Sequence, residues 1–478
     1  MQINTNDEIK TLAEICSTLE NFVRFVLNAR PTNQQLQIIR AVDKGKKRIA
    51  VKSGHGTGKS TTLSWLAIWW GLFKLDAKIP VTAPSSPQLM ATLMPEMRKW
   101  IDKLPQIFKD EITIDFENIA GYQFNTDCLS DGIIGKMLIY GRNATGKTNL
   151  GRAILDIGST MFGGTRYASN GILLNADSKE DAAMFQYEFR FEDTELSYKY
   201  SRLSNQELRE EELSVNGKSI FKCNFGLREY NFDNLDYIDA ETANIERYLQ
   251  SLEVGEDDEI SEPKLPFLRW LISNVALKND SALIRLSNYV RRMMMITVGN
   301  GMQYRFGRLN QGFYESLENP EHLKDFEDFL NAMGIECKLV LKKLPDGQRK
   351  LYFSHEQLVP FYENASSGTL ALAELYRRLV PKVWDASLIY LDEFDAFYHY
   401  EMAENVIRFF KQKYPKCQMI MTSHNTNLMT NRIMRPDCLF ILSRKGTLTA
   451  LCNATERELR EGHNLEKMYI SGEFEKYE

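Results

Sequence analysis

The sequence predicts an α/β protein whose central strands are parallel, and three stretches carry that expectation. Residues 136–157, KMLIYGRNATGKTNLGRAILDI, pass from an apolar segment through a glycine-bearing turn into a helix-like pattern. LIYLDEFDAF (388–397) sets an apolar run before an acidic pair, and CQMIMTSHNTNLM (417–429) sets another before Ser423-His424. Short unbroken apolar runs suit strands covered on both faces, whereas strands with one wet face alternate.

In chain order, apolar spacing predicts helices over 9–26 and 33–42. KKRIAVK then reads as a short strand leading into SGHGTGKS (53–60) and a helix over 60–73. AKIPVTAPSSPQ reads as a strand closing in a Pro/Ser turn, with a helix from there to Leu104. EITIDFENIAGYQF brings short β-like runs, of which ITIDFE (112–117) is expected to be the first strand of the next α/β lobe. Beyond the GRNATGKT unit, 171–225 alternates, as in MFQYEFRFEDTELSYKYSRL, and predicts antiparallel hairpins. Residues 231–331 read as mostly helical, with EVGEDDEISEP (253–263) a solvated loop. The PDG at 345–347 predicts a hairpin, and helices and strands alternate again over 365–451. The expected segments are an incomplete α/β unit (1–106), a first lobe with antiparallel strands (107–230), a helical insert (231–335) and a second lobe (336–478).

Composition narrows the function classes. The chain of 478 residues is 43% hydrophobic and 26% charged, with a formal net charge of -5, so any contact with nucleic acid must come from a local patch. Its seven cysteines, Cys16, Cys128, Cys223, Cys337, Cys417, Cys438 and Cys452, form no CxxC pair or zinc spacing and are expected to be reduced thiols. MQINTNDEIK is no signal peptide, and LSWLAIWWGLF (63–73) is too short to span a bilayer; a cytoplasmic protein with no membrane partner is expected.

Gly141-Arg142-Asn143-Ala144-Thr145-Gly146-Lys147-Thr148 fits G-x-x-x-x-G-K-[ST] at every fixed position. Glycines let successive backbone N–H groups turn onto phosphate oxygens, and the helix behind them adds its positive end. Lys147 is expected to reach the β- and γ-phosphates of ATP, and the Thr148 hydroxyl to ligate Mg²⁺. Asp392 is the candidate carboxylate for that magnesium. Glu393 is placed to orient and deprotonate an attacking water, and His424, ending the next strand, to face the γ-phosphate. ENASSGTLALAELYRRL (363–379) opens a helix on a small-residue turn, which is a further anion site or a plain Ser N-cap.

The order of glycine loop, SSGT helix start, Asp-Glu strand and His strand resembles the ABC-type ATPase heads shared by SMC-like proteins and the OLD-like phage-defence ATPases, over residues 110–478. The resemblance implies a P-loop fold, ATP with Mg²⁺, and a homodimer in which Ser366 and Gly368 of one protomer touch the γ-phosphate held by the other. Ala365-Ser366-Ser367-Gly368-Thr369 departs from LSGGQ at its first and last positions and at the first glycine. Gln186 is a weak counterpart of the family's glutamine loop, and 231–331 sustains no heptads, which argues against an SMC tether. The sequence ends soon after the His424 strand without an acidic nuclease segment, so the expected effector is a separate nuclease or toxin protein.

SGHGTGKS offers Gly54, Gly56, Gly58, Lys59 and Ser60 as a second nucleotide loop, with Ser53 where the pattern has glycine. With Gln34 and Gln35 in RPTNQQLQII before it and VTAPSSPQL after it, it resembles the N-terminal part of phage terminase large-subunit motors over residues 28–104. That resemblance implies an adenine-reading glutamine, yet no Asp-Glu strand follows, and an incomplete terminase-like segment is expected. The alternatives are a terminase-like DNA-translocating motor and a nucleotide-gated scaffold with little turnover. Arg291, Arg292, Arg305 and Arg308 are the candidate DNA patch, set against a solvated helix face beside core methionines.

Overall fold

The computed structural model describes residues 17–46, 48–51, 58–73, 96–97, 100, 112–163, 174, 180–204, 207–253, 264–297, 311–383 and 386–478. They fall into two units, Met1–Ile112 and Thr113–Glu478.

In the first unit a helical turn at Leu19–Asn21 runs into a π turn at Phe22–Val26, followed by α1 (Asn33–Asp43) and α2 (Lys59–Phe73). Thr32 and Gln35 cap α1 reciprocally, which satisfies two of its free N–H groups. Leu19, Phe22, Val23, Ile39, Trp65, Trp69 and Trp100 form the core. The helix expected over 9–26 is described only from Leu19, and part of it is π rather than α. Residues 48–51, expected as a strand, do not form one: the described residues of this unit include no strand to pair with, and Ile49 and Val51 stay exposed. The expected strand at AKIPVTAPSSPQ lies outside the described residues.

The second unit begins with a strap. ITIDFE is not a strand, contrary to expectation: Phe116 O accepts the Ile134 N–H at 2.7 Å, Glu117 N–H turns back to Asp115 Oδ1 at 2.9 Å, and the chain just beyond is held by side chains. The buried Arg435–Asp437 pair grips Ala120 at both backbone groups: Ala120 N–H donates to Asp437 Oδ2 at 2.7 Å, and Arg435 Nη2 donates to Ala120 O at 2.7 Å. Further on, Asn125 Nδ2 donates to Asn431 O at 2.6 Å.

The chain then lays down β1 (Lys136–Tyr140) and α3 (Lys147–Phe162). Five antiparallel strands follow in sequential order, β2 (Ala183–Phe191), β3 (Thr194–Arg202), β4 (Leu208–Val215), β5 (Lys218–Asn224) and β6 (Glu229–Asn231), as the alternation predicted. Helices α4 (Ile245–Glu253), α5 (Phe267–Asn274) and α6 (Ala282–Arg291) come next, and then a strand, β7 (Met293–Thr297). This corrects the reading of 231–335 as a helical insert. The apolar run MMMIT pairs in parallel with Leu388–Asp392, and ladder bonds and burial outweigh helix propensity there.

After α7 (Pro320–Ala332), the PDG turn joins β8 (Leu339–Lys343) to β9 (Arg349–Ser354), with β10 (Leu358–Pro360) alongside. Gly347 takes φ 83°, which a side chain would strain. The chain continues with α8 (Ser367–Val383), β11 (Leu388–Asp392), α9 (Tyr400–Lys413), β12 (Gln418–Ser423), β13 (Leu439–Leu442) and β14 (Leu448–Ala450). The central six-stranded sheet has the order β14-β13-β1-β12-β11-β7, parallel except for the β13–β14 pair.

Lys136 is fully buried at the start of β1, and its ammonium is spent on three carbonyls: Tyr414 O at 2.9 Å, Pro415 O at 3.2 Å and Cys417 O at 2.7 Å. It thus caps the end of α9 and fixes the entry to β12. The apolar residues form two cores, one around the central sheet and one between the antiparallel sheet and α5–α6; Met293 packs against both.

Glu211 of β4 lies inside the second core. It accepts the Tyr198 hydroxyl at 2.8 Å and the backbone N–H groups of Phe267 and Leu268, so it caps α5, whose own Pro266 brings no capping side chain. Burial dominates these bonds and pushes its carboxyl up to about 7 from 4.5. The folded state therefore holds this proton more tightly than the unfolded one. The resulting stabilisation is complete below pH 4.5 and is lost as pH rises through about 7. Glu211→Gln should flatten that part of the pH dependence of thermal unfolding, a span of about 3 kcal/mol. An unchanged slope in the variant would reject the assignment.

Candidate nucleotide-binding site

The loop 141–146 connects the buried β1 to α3. A Cβ on Gly141 would lie 2.6 Å from Thr145 Oγ1, so any larger residue there would displace the Thr145 hydroxyl. Two of its residues are left-handed: Gly146 at φ 93° at no steric cost, and Ala144 at φ 64° with a Cβ to accommodate. In this arrangement Lys147, only 4% exposed, turns back over the loop. Its Nζ donates to Gly141 O at 2.7 Å and to Arg142 O at 3.1 Å. Burial lowers the Lys147 pKa; Glu393, then Asp392 and Asp395, oppose that fall.

The helix start is fixed from below. Tyr390, inside β11, donates its hydroxyl to Lys147 O at 2.5 Å, and a Cβ on Gly151 would come within 2.5 Å of the Tyr390 ring. The glycine therefore allows α3 to lie directly on β11.

A chain of hydroxyls joins the loop to the acidic pair. Thr148 Oγ1 donates to Asp392 Oδ2 at 2.7 Å, and Thr422 Oγ1, from β12, donates to Asp392 Oδ1 at 2.9 Å. The same Thr422 oxygen accepts the Glu393 N–H at 2.9 Å, and Glu393 stands at φ 47°. Thr422 thus anchors the magnesium candidate and holds its neighbour in a strained backbone conformation. Glu393 Oε1 comes to 4.0 Å from Lys147 Nζ. The β1–β12 ladder supplies the last link, with Gly141 N–H donating to Ser423 O at 3.2 Å. Lys147, Thr148, Asp392 and Glu393 are thereby brought into one network, and His424 is exposed at the end of β12 beside it. These groups fit a nucleotide with its divalent cation: Thr148 and Asp392 present hydroxyl and carboxylate oxygens side by side, as Mg²⁺ uses beside phosphates.

Other residues singled out in the sequence have the following contacts. Ser366 accepts the Thr369 N–H at 3.1 Å and so caps α8; Gly368 packs near Phe397 O and the Tyr398 side chain, at 3.5 and 3.6 Å from where a Cβ would sit. Arg142 makes an ion pair with Glu478. Gln186 does not join the site: it is exposed on β2 and bonded to Glu188 at 2.9 Å, because its side of the strand faces away from the core. Arg291 lies over the Phe162 ring at 4.0 Å and Arg292 Nε donates to Asn288 O, while Arg305 and Arg308 lie outside the described residues.

Of the first loop, Gly54 and Gly56 are outside the described residues. Gly58 takes φ 74°, and Lys59 and Ser60 open α2. Gln35 is buried and donates to Gly58 O at 3.2 Å while its Oε1 accepts the Thr32 N–H, so in this arrangement its amide is bound within its own unit. Glu96, which carried no signal in the sequence, accepts from Thr61 Oγ1 at 2.6 Å and from Trp100 Nε1 at 2.9 Å.

Sequence reasoning also missed Thr422, Asp395 and Tyr390. The first carried a signal, a hydroxyl residue inside the apolar run MIMTS.

No curated protein matches this chain. Among solved structures it is similar to an SMC head bound to the C-winged helix domain of ScpA (15% identity, TM-score 0.33), to the SMC head domain from Thermotoga maritima (14%, 0.32), and to an Smc head domain with an extended coiled coil bound to the C-terminal domain of ScpA, derived from Pyrococcus furiosus (14%, 0.33). Each covers 66% of this chain and 89% of the other. Among the described residues, no helix is long and apolar enough to cross a membrane. The family model described as "AAA domain, putative AbiEii toxin, Type IV TA system" matches residues 136–430, more than half of the chain, and takes in the glycine loop, the acidic pair and His424. The chain belongs to that family of AAA-domain P-loop ATPases.

Proposed function

We propose that this protein hydrolyses ATP at the site built from 141–148, Asp392, Glu393 and His424. The observation that carries this reading is the unbroken path Thr148–Asp392–Thr422–Glu393. It puts the oxygens suited to Mg²⁺ and a carboxylate suited to water in fixed relation to Lys147. With Mg-ATP bound, the loop N–H groups and Lys147 would hold the phosphates, and Thr148 and Asp392 would hold the cation, which would supply positive charge beside them. Glu393 takes a proton from the water whose oxygen attacks the γ-phosphorus. The bond to the β-phosphate breaks, and ADP carries away the electron pair. His424 contacts the γ-phosphate from the end of β12.

The wider reading is a homodimer in which Ser366 and Gly368 of one protomer complete the partner's site, serving as the regulatory subunit of an anti-phage system with a separate nuclease or toxin. The family's description, which names a toxin and a toxin–antitoxin system, supports a defence context. The test is phosphate release by the purified protein. Lys147→Ala should lower turnover roughly a hundredfold, whereas Lys59→Ala should leave most of it. The reverse pattern would move the chemistry to the first loop and favour the terminase-like motor.

A further inference from the structure

Asp395 follows the acidic pair but shares neither of its contacts. It is 6% exposed, and its Oδ2 accepts the Ser423 hydroxyl at 2.7 Å. That hydroxyl in turn accepts the Asn425 N–H at 2.9 Å. Asp395 thus holds Ser423 directly and, through the Ser423 hydroxyl, Asn425, the two residues that flank His424. The backbone of Ser423 is tied as well, through its carbonyl to Gly141 N–H. The turn bearing His424 is therefore fixed to the loop on one side and to Asp395 on the other.

The second oxygen is the informative one. Among the described residues, Asp395 Oδ1 is buried with no hydrogen-bond partner, and a buried carboxylate oxygen left in that state is costly. Burial raises the Asp395 carboxyl above its ordinary range; the Ser423 hydroxyl, then its own backbone N–H, and then His424 pull against that rise, while Glu393 adds to it. His424 lies between Ser423, whose hydroxyl Asp395 holds, and Asn425, and it stands exposed at a strand end, where its ring is a donor that can turn.

We propose that Asp395 is the positioning carboxylate of His424. Through Ser423 it fixes the turn on which the imidazole stands, and its free oxygen accepts a ring N–H when the histidine is turned toward the nucleotide. The role resembles that of any carboxylate that sets a histidine's tautomer and direction. It rests on the ATPase reading above.

Steady-state hydrolysis by the full-length protein tests it, using Asp395→Asn, His424→Ala and the double variant. Asparagine can still accept from Ser423 but offers an N–H where the free oxygen stood. The expected result is a loss of about tenfold in kcat with KM unchanged, and a double variant no slower than His424→Ala alone. Losses that multiply in the double variant would overturn the proposal, as would wild-type kcat in Asp395→Asn alongside an impaired His424→Ala. If His424→Ala itself turns over normally, the proposal falls with the role given to His424, while Lys147→Ala separately reports on the ATPase reading. Should Asp395→Asn fail to fold, Ser423→Ala and Ser423→Thr carry the test. The first should lose turnover and the second, which keeps the hydroxyl, should recover it; equal rates would count against the proposal.

Discussion

Glu393→Gln should lower ATP turnover about a hundredfold or more while nucleotide affinity stays within a few fold of wild type. The amide is nearly isosteric and can still lie near Lys147, but it cannot take a proton from water. The backbone argues that this position serves the chemistry rather than the packing. Glu393 is held at φ 47°, its N–H on the Thr422 hydroxyl, a strained conformation for a side chain that is only partly buried. Binding of a fluorescent ATP analogue and phosphate release, measured on the same preparation, separate the two effects. If turnover persists and binding is lost, Glu393 serves the ground state only and the water must be activated elsewhere. If both are unchanged, the nucleotide-gated scaffold becomes the better reading.

Two glycines on α3 should respond to alanine in opposite directions. A Cβ on Gly151 would sit 2.5 Å from the ring of the fully buried Tyr390, so helix and strand must separate. The expected loss is about 2–3 kcal/mol, with weaker nucleotide binding because Tyr390 also holds Lys147 O. Seven residues further along, a Cβ on Gly158 would meet only Val290 Cγ1, at 3.8 Å. There alanine should gain about 0.5–1 kcal/mol through helix propensity. Thermal unfolding of the two variants side by side checks the sign of each. A stable Gly151→Ala would mean that α3 does not rest on β11 as described.

The sequence made the second unit far more legible than the first. GRNATGKT, LIYLDEFDAF and CQMIMTSH are each a strand plus a chemically loaded end, and unbroken apolar runs of that length have few other homes than a covered parallel sheet. What stayed hidden depended on partners distant in sequence. ITIDFE looks like a strand until Glu117 N–H is seen to fold back on Asp115, with Arg435 and Asp437, distant in sequence, gripping the chain just beyond it at Ala120. MMMIT is as compatible with helix as with strand until β11 offers it a ladder. The roles of Thr422, marked only as a hydroxyl inside an apolar run, and of Asp395 depend on partners away in sequence, because each works by a hydroxyl–carboxylate bond between β12 and the end of β11.

The position of Met293, shared by both cores of the second unit, has a mechanical consequence. A branched side chain at such a seam would lock the two bodies of packed residues together, since any relative shift would open a void. Methionine bends at three bonds and keeps its contacts through several rotamers. The seam is therefore compliant where each core is stiff. That compliance is local, because the antiparallel sheet is also tied straight to α3, where Tyr187 Oη donates to Ala153 O at 2.6 Å and Tyr200 Oη to Asp156 Oδ2 at 2.6 Å.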